Sequence, residues 1–215
     1  MAGFKKISLI VFLFLLKSSL LLAQTAAPPA VALPALTGQQ KRILLLIARE
    51  ALNAALENRA PREPRVGPRL EVAQPMVVSL YVDKKLRSRA WKLKSPLPLH
   101  QEAGALTASA ISRPAGNFAP LRPDELAKAE ISLAVLTNYA RANDDREVPP
   151  RAAVIIYNGF IEWLAMPGDI ESNKAADLLS HACQEAGLRP KAWLLPQTVI
   201  FSARVEELRE TLFGD

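Results

Sequence analysis

The spacing of apolar positions changes several times along the chain, and each change marks an element. Leu44, Ile47, Ala48, Ala51, Leu52 and Ala55 recur at helical spacing. Thr37 stands before them with Gln40 three residues on, the pattern of a capping box. Pro61 bars continuation beyond Asn58, so the spacing predicts a first helix from Thr37 to Asn58. From Met76 the period drops to two. Met76, Val78, Leu80 and Val82 alternate with Val77, Ser79, Tyr81 and Asp83, as in a strand with one buried face. Asp83-Lys84-Lys85 reverses the chain, and Leu86 to Leu93 returns. That second strand carries Arg87, Arg89, Lys92 and Lys94 around Trp91, which is too polar for a central strand and fits an edge or the lip of a cleft.

Leu99, Ala103, Leu106, Ala110 and Ile111 predict a second helix, weakened by Gly104. Pro114-Ala115-Gly116-Asn117 is a turn, and Pro123 starts a short helix with Asp124 and Glu125 in its first turn. Ile131, Leu133 and Val135 predict a strand, followed by a polar loop from Asn138 to Pro150. Ala153 to Tyr157 and Phe160 to Ala165 flank Asn158-Gly159, a two-residue hairpin signal. A third helix is expected from Ser172 to Ala186 with Gly187 as its stop, then a strand from Thr198 to Ala203 and a terminal helix from Glu206 to Leu212. Helices and strands mix without a βαβ rhythm. The expected class is α+β, with a mixed, mainly antiparallel sheet, flanking helices and two lobes around a cleft.

The N-terminus has its own character. Lys5 and Lys6 precede the apolar run Ile7 to Leu16, and small residues follow at Ala23, Ala26 and Ala27, the layout of a secretory signal peptide cleaved after Ala23. The alternative is a retained N-terminal membrane anchor, but Lys17-Ser18-Ser19 interrupts the run short of the ~20 residues a span needs. Residues 24–36, rich in Ala and Pro, read as an extended tether, and 37–215 as the folded domain. The whole chain carries 27 Lys and Arg against 21 Asp and Glu, a net +6. Lys5, Lys6 and Lys17 belong to the segment expected to be removed, so the rest is close to balance. The basic excess that remains is local, between Arg59 and Lys94.

Candidate chemistry is thin. Cys183 is the single cysteine, so no internal disulfide forms. His181 and Cys183, two apart on a predicted helix, point to different sides, and Cys183 on the apolar stripe reads as an inert small hydrophobe. Two histidines and one cysteine offer no metal spacing. Asp144-Asp145 lacks a third ligand and reads as a solvated loop tip. No phosphate loop or nucleophile elbow is present. The basic hairpin reads either as an edge strand guarded by lysines or as a patch for an anionic envelope surface through Lys84, Lys85, Arg87, Arg89, Lys92 and Lys94. Export weighs against nucleic acid as its partner.

Several segments together resemble one family, the AMMECR domain family, known in prokaryotes as protein A of the AmmeMemoRadiSam system. The resemblance runs from about Gln39 to Ala203, in order. It rests on Ala48-Arg49 in the first helix and Leu86-Arg87-Ser88-Arg89-Ala90-Trp91-Lys92-Leu93 at the motif L-R-G-C-I-G-T-L. It continues with Asn117-Phe118-Ala119-Pro120-Leu121 and Glu125-Leu126 at D-P-R-F-x-P-L with its nearby E-L, and with Ala134-Val135-Leu136-Thr137 at the S-V-L-T strand. Trp163-Leu164-Ala165-Met166-Pro167-Gly168 stands at G-L-L-L-P-Q. Cys183-Gln184-Glu185-Ala186-Gly187-Leu188, with Trp193 after it, stands at C-x-K-A-G-L.

The departures point one way. Apolar and turn positions are kept, while Arg89 replaces the motif cysteine, Trp91 and Trp163 replace glycines, and Ala115 replaces an aspartate. The resemblance implies an enzyme-like cleft and assigns no reaction and no cofactor. The expectation is an exported, non-catalytic ligand- or partner-binding protein with a degenerate cleft, its candidate residues being Arg87, Arg89, Trp91, Glu162 and Trp163. The alternative is an enzyme of unknown reaction using Arg87, Arg89 and Glu162. Both indoles are expected near each other, with Arg87 or Arg89 alongside. They either fill the cleft, line an aromatic groove, or pack separately into local cores.

Overall fold

The computed structural model describes residues 34–210, apart from 63, 113 and 115–117. The expected signal peptide, the tether up to residue 33 and the turn at 115–117 lie outside the described residues. No helix among the described residues is long and apolar enough to cross a membrane. Among the described residues four helices flank one sheet: α1 (Gly38–Leu56), α2 (Leu99–Ser112), α3 (Pro123–Leu126) and α4 (Ala175–Glu185). The strands are β1 (Met76–Val82), β2 (Lys85–Lys92), β3 (Glu130–Ala142), β4 (Ala153–Asn158), β5 (Ile161–Ala165) and β6 (Thr198–Arg209). Their order is β2-β1-β3-β6-β4-β5, and the sheet curls into half a barrel.

Every strand pair is antiparallel, so the sheet is simpler than the mixed one expected. The two expected lobes are also replaced, because the described residues fall in a single compact unit. What the sequence suggests as lobes are two helix-covered ends of one sheet. At one end α1 and α2 cover Met76, Val78, Leu80, Ile131 and Leu133. At the other α4 covers Val154, Ile156 and Ala165. The opposite, inner face buries Val77, Ala134, Leu136, Ile155 and Ala203 against one another. The long β3–β6 pair joins the two ends.

The first helix starts as its capping box predicts, with Gln40 N donating to Thr37 Oγ1 and Thr37 N to Gln40 Oε1. The fold begins before the expected end of the tether, however. Leu36 is buried in the core under α1, and its N–H donates to Glu206 Oε1 at 3.0 Å. Both hairpins form, the first with a turn one residue shorter than expected and the second with its turn moved by one position. Asp83 and Lys84 alone make the first loop, with φ of 50° and 63°, the left-handed pair a type I′ turn needs. Asn158 pairs with Ile161, so the second loop is Gly159-Phe160 with the glycine at φ 63°, a type II′ arrangement. The third expected helix begins later, at Ala175.

Two corrections are larger. The loop expected from Asn138 is strand to Ala142, interrupted by a bulge at Thr137–Ala140 where Asn138 takes φ 51°. The terminal helix expected from Glu206 is the second half of β6, pairing with Ser132 to Val135. Its charged residues are spent on neighbours: Glu206 on Lys41, Glu207 on Ser132 and Arg209.

Candidate functional site

The basic hairpin strand is an edge strand, as its composition suggests, and its alternation decides where each candidate goes. Ser88 and Ala90 face the helices, and the Ser88 hydroxyl donates to the Ala110 carbonyl of α2. Arg89 and Trp91 lie opposite Ser79 and Val77, on the inner face. Arg87 has no partner in the register, because Leu80 faces Ser88 and Tyr81 faces Leu86. It is the extra residue of a bulge. Released from the alternation, Arg87 grips α3 and the chain before it. Its Nε donates to Glu125 Oε1 at 2.7 Å and its Nη1 to the Ala119 carbonyl at 3.0 Å. Arg87 holds the Glu125 carboxyl below the usual carboxylate range.

Arg89 is one of few charged side chains buried in this protein, 5% exposed. Its two Nη atoms donate to the two oxygens of Asp169, each at 2.7 Å, and its Nε to Ser79 Oγ at 3.0 Å. Asp169 is set by the turn after β5, where its Oδ2 also accepts Met166 N–H at 2.8 Å. Burial works against the charged guanidinium, yet the Asp169 carboxylate more than offsets it and the arginine stays charged. The pair ties β2 to the far end of the sheet.

The tryptophans make the second tie. Trp91 rises from β2 at one sheet edge and Trp163 from β5 at the other, yet their centroids are 5.4 Å apart with planes at 76°, edge to face. The curl of the sheet thus brings its two edges together at a seam. A groove of about 350 Å³ follows it, walled by Tyr81, Leu86, Trp91, Phe118, Trp163 and Leu164. Lys84, Arg89, Asp169, His181 and Glu185 supply its polar rim. The indoles are half-buried, so they neither seal the groove nor stand free of it.

Of the sequence-derived candidates, Arg89, Trp91 and Trp163 come together. Arg87 is turned away to Glu125, and Glu162 is exposed on β5 beside Tyr157, outside the groove. Nor do the six basic residues of the hairpin form one uniform face. Lys84, Lys85, Lys92 and Lys94 are exposed, Arg87 is half-buried and Arg89 is buried. Sequence reasoning missed Asp169, Tyr81, Phe118, His181 and Glu185. Only Asp169 left a trace, as an acid directly after Pro167-Gly168. Among the described residues no cluster of His, Cys, Asp and Glu is arranged to hold a metal.

Cys183 is wholly buried under β4 and β5. Burial pushes its thiol up, against a weaker pull from the backbone N–H groups of Trp193 and Ala192. A larger depression, about 390 Å³, lies between residues 145–152 and the start of α4, but every polar side chain lining it is exposed or half-buried. Asp144 there accepts from Arg146 N–H at 2.9 Å and caps a single helical turn.

Fold and groove define a class: an α+β domain built on an antiparallel half-barrel, with an aromatic seam where its edges meet. The chain belongs to the AMMECR1 family, whose model matches residues 45–207. It is 28% identical over 174 residues to protein Mbar_A1807 of Methanosarcina barkeri, covering 74% of this chain and 85% of that one. It is 29% identical over 192 residues to protein MK0488 of Methanopyrus kandleri, covering 81% and 91%. The fold is similar to that of the uncharacterized protein PH0010 from Pyrococcus horikoshii, with a TM-score of 0.72 at 19% identity over 80% of this chain and 92% of that one.

Proposed function

We propose that this AMMECR1-family domain is a non-catalytic binding protein whose seam groove takes the flat face of a small ligand, a sugar ring or a planar anion. The observation that carries this reading is the Trp91–Trp163 pair standing half-exposed beside an arginine already engaged by Asp169. Aromatic walls with a few polar groups at the rim suit recognition by stacking. The enzymatic alternative asks Arg87, Arg89 and Glu162 to converge. Arg87 is held on Glu125, Arg89 on Asp169, and Glu162 lies elsewhere on β5. That separation favours binding.

Calorimetric titration of a panel of monosaccharides and benzoate tests the reading. Binding by the native protein that is lost in the folded Trp91→Gly/Trp163→Gly variant supports it. Unchanged binding in that variant removes the groove from the function.

The same proposal places the protein outside the cytoplasm after removal of residues 1–23, on the strength of the basic, apolar and small-residue order at the N-terminus. N-terminal sequencing of the native protein is expected to begin near Gln24; a start at Met1 or Ala2 in the membrane fraction contradicts it. There Lys84, Lys85, Lys92 and Lys94 would draw the hairpin toward anionic envelope polymers or headgroups, an attraction that weakens with salt.

A further inference from the structure

The Arg89–Asp169 pair has a second side. Away from the tryptophans, on the inner face of the sheet, it borders a recess of about 210 Å³. The inner face is apolar elsewhere, but here Ser79 and Ser132 stand opposite each other across β1 and β3, each 5% exposed. Both hydroxyls are tied to charged groups. Ser79 Oγ accepts from Arg89 Nε, and Ser132 Oγ donates to Glu207 Oε1 at 3.0 Å. Glu207 in turn accepts from Arg209 Nε at 2.7 Å, and the Arg209 guanidinium stands 5.2 Å from the centre of the Tyr81 ring.

Three arginines from separate elements therefore line one recess: Arg89 of β2, Arg209 of β6 and Arg151 of the turn before β4. Two lining carboxylates face them, Asp169 and Glu207, each of them taken, and Glu130 beside Tyr81 also acts on Arg209. Arg151 makes no hydrogen bond or ion pair with a described residue. Its backbone also sits at φ 58°, a left-handed conformation that is uncommon for a residue with a side chain. The recess thus has a buried polar wall and, at its mouth, one exposed guanidinium without a partner among the described residues.

We propose that this recess binds a small molecule through a carboxylate, with Arg151 as the recognising cation. A guanidinium offers parallel N–H donors that match a carboxylate's two oxygens. One unpartnered guanidinium suits a monoanion. A phosphate dianion would add its second charge beside Asp169 and Glu207, where like charges repel. The site is distinct from the aromatic groove, and Tyr81 and the Arg89–Asp169 pair form a wall common to both.

Pyruvate is a suitable probe, followed by calorimetry and by backbone amide shifts of Ser79, Ser132 and Glu207 in the full chain. The native protein is expected to bind pyruvate and to bind inorganic phosphate more weakly. Arg151→Gln should weaken pyruvate by roughly tenfold or more, the usual scale for losing a charge-assisted contact, and Arg151→Lys by less. Arg151→Gly serves as a second variant, because glycine adopts the left-handed backbone without strain; it should fold and lose pyruvate as the Gln variant does. Trp91→Gly/Trp163→Gly should keep pyruvate binding, which separates this site from the groove. Absence of pyruvate binding by the native protein, tighter binding of phosphate, or equal binding by Arg151→Gln overturns the proposal.

Discussion

Arg89 and Asp169 are 80 positions apart in the chain, the arginine is buried with Asp169 half-buried over it, and each charge answers the other. Removing one partner strands the other charge. Arg89→Ala is expected to cost about 3–5 kcal/mol, the usual penalty for breaking a buried pair, whereas Arg89→Met with Asp169→Leu should cost far less. Denaturant unfolding of the two variants measures this, and a double variant less stable than Arg89→Ala would contradict it. Cys183 represents the opposite case, a reactive residue type made inert by its surroundings. With its thiol pushed up by burial, little thiolate exists near neutral pH. A thiol reagent at pH 8 should modify the native protein far more slowly than the unfolded one. Cys183→Ala should leave ligand binding unchanged and cost about 1 kcal/mol of stability. Rapid native-state labelling with loss of binding would make the thiol functional.

At the level of elements, the sequence was most legible where local chemistry decides and least where pairing does. The Thr37–Gln40 box, the first hairpin and the apolar stripe carrying Cys183 all follow from neighbours in sequence. The segment Glu206 to Arg209 misleads because Glu, Leu and Arg are good helix formers. Its fate was settled by β3, whose edge it completes and where Leu208 is wholly buried. The bulge at Arg87 was likewise invisible, since nothing local says that Tyr81 must face Leu86. The groove was half legible: the motif residues Arg89, Trp91 and Trp163 were found, but Asp169 belongs to a turn whose position depends on the curl of the sheet.

Two further outcomes belong to the helices. A methyl group at Gly104, inside α2, would meet Ile47 Cγ2 at 3.7 Å, an ordinary contact. Gly104→Ala should therefore stabilise the fold by about 0.5–1 kcal/mol through helix propensity, read as a higher melting temperature. A lower one would show that α1 and α2 need the gap. Glu50 of α1 accepts from Arg59 Nη2 at 3.1 Å and from Arg62 N–H at 3.0 Å, and Arg59 foremost lowers its carboxyl to about 2. A carboxyl depressed in the folded state stabilises that state above its unfolded value of 4.5, and the contribution fades as pH falls from there toward about 2. Carboxyl NMR should find Glu50 titrating near the lower figure, and higher in Arg59→Gln, where the Arg62 N–H still holds it below the free value. A native value close to that of free glutamate would remove the clasp.

The folded domain, over its described residues, is a sheet whose two ends carry separate helical cores and whose edges are drawn together at one line. Strands at sheet edges are open to unwanted pairing, and drawing them together across the Trp91–Trp163 contact and the Arg89–Asp169 bridge protects both. The same closure creates the groove, so stability and binding share these residues. A double-mutant cycle on Trp91 and Trp163 tests that closure most directly, using Trp91→Leu, Trp163→Leu and the pair, with unfolding free energy as the readout. Edge-to-face rings in contact should couple by about 0.5–1.5 kcal/mol. A coupling of zero, with all four proteins folded, would mean that β2 and β5 do not meet at the tryptophans and that no seam exists.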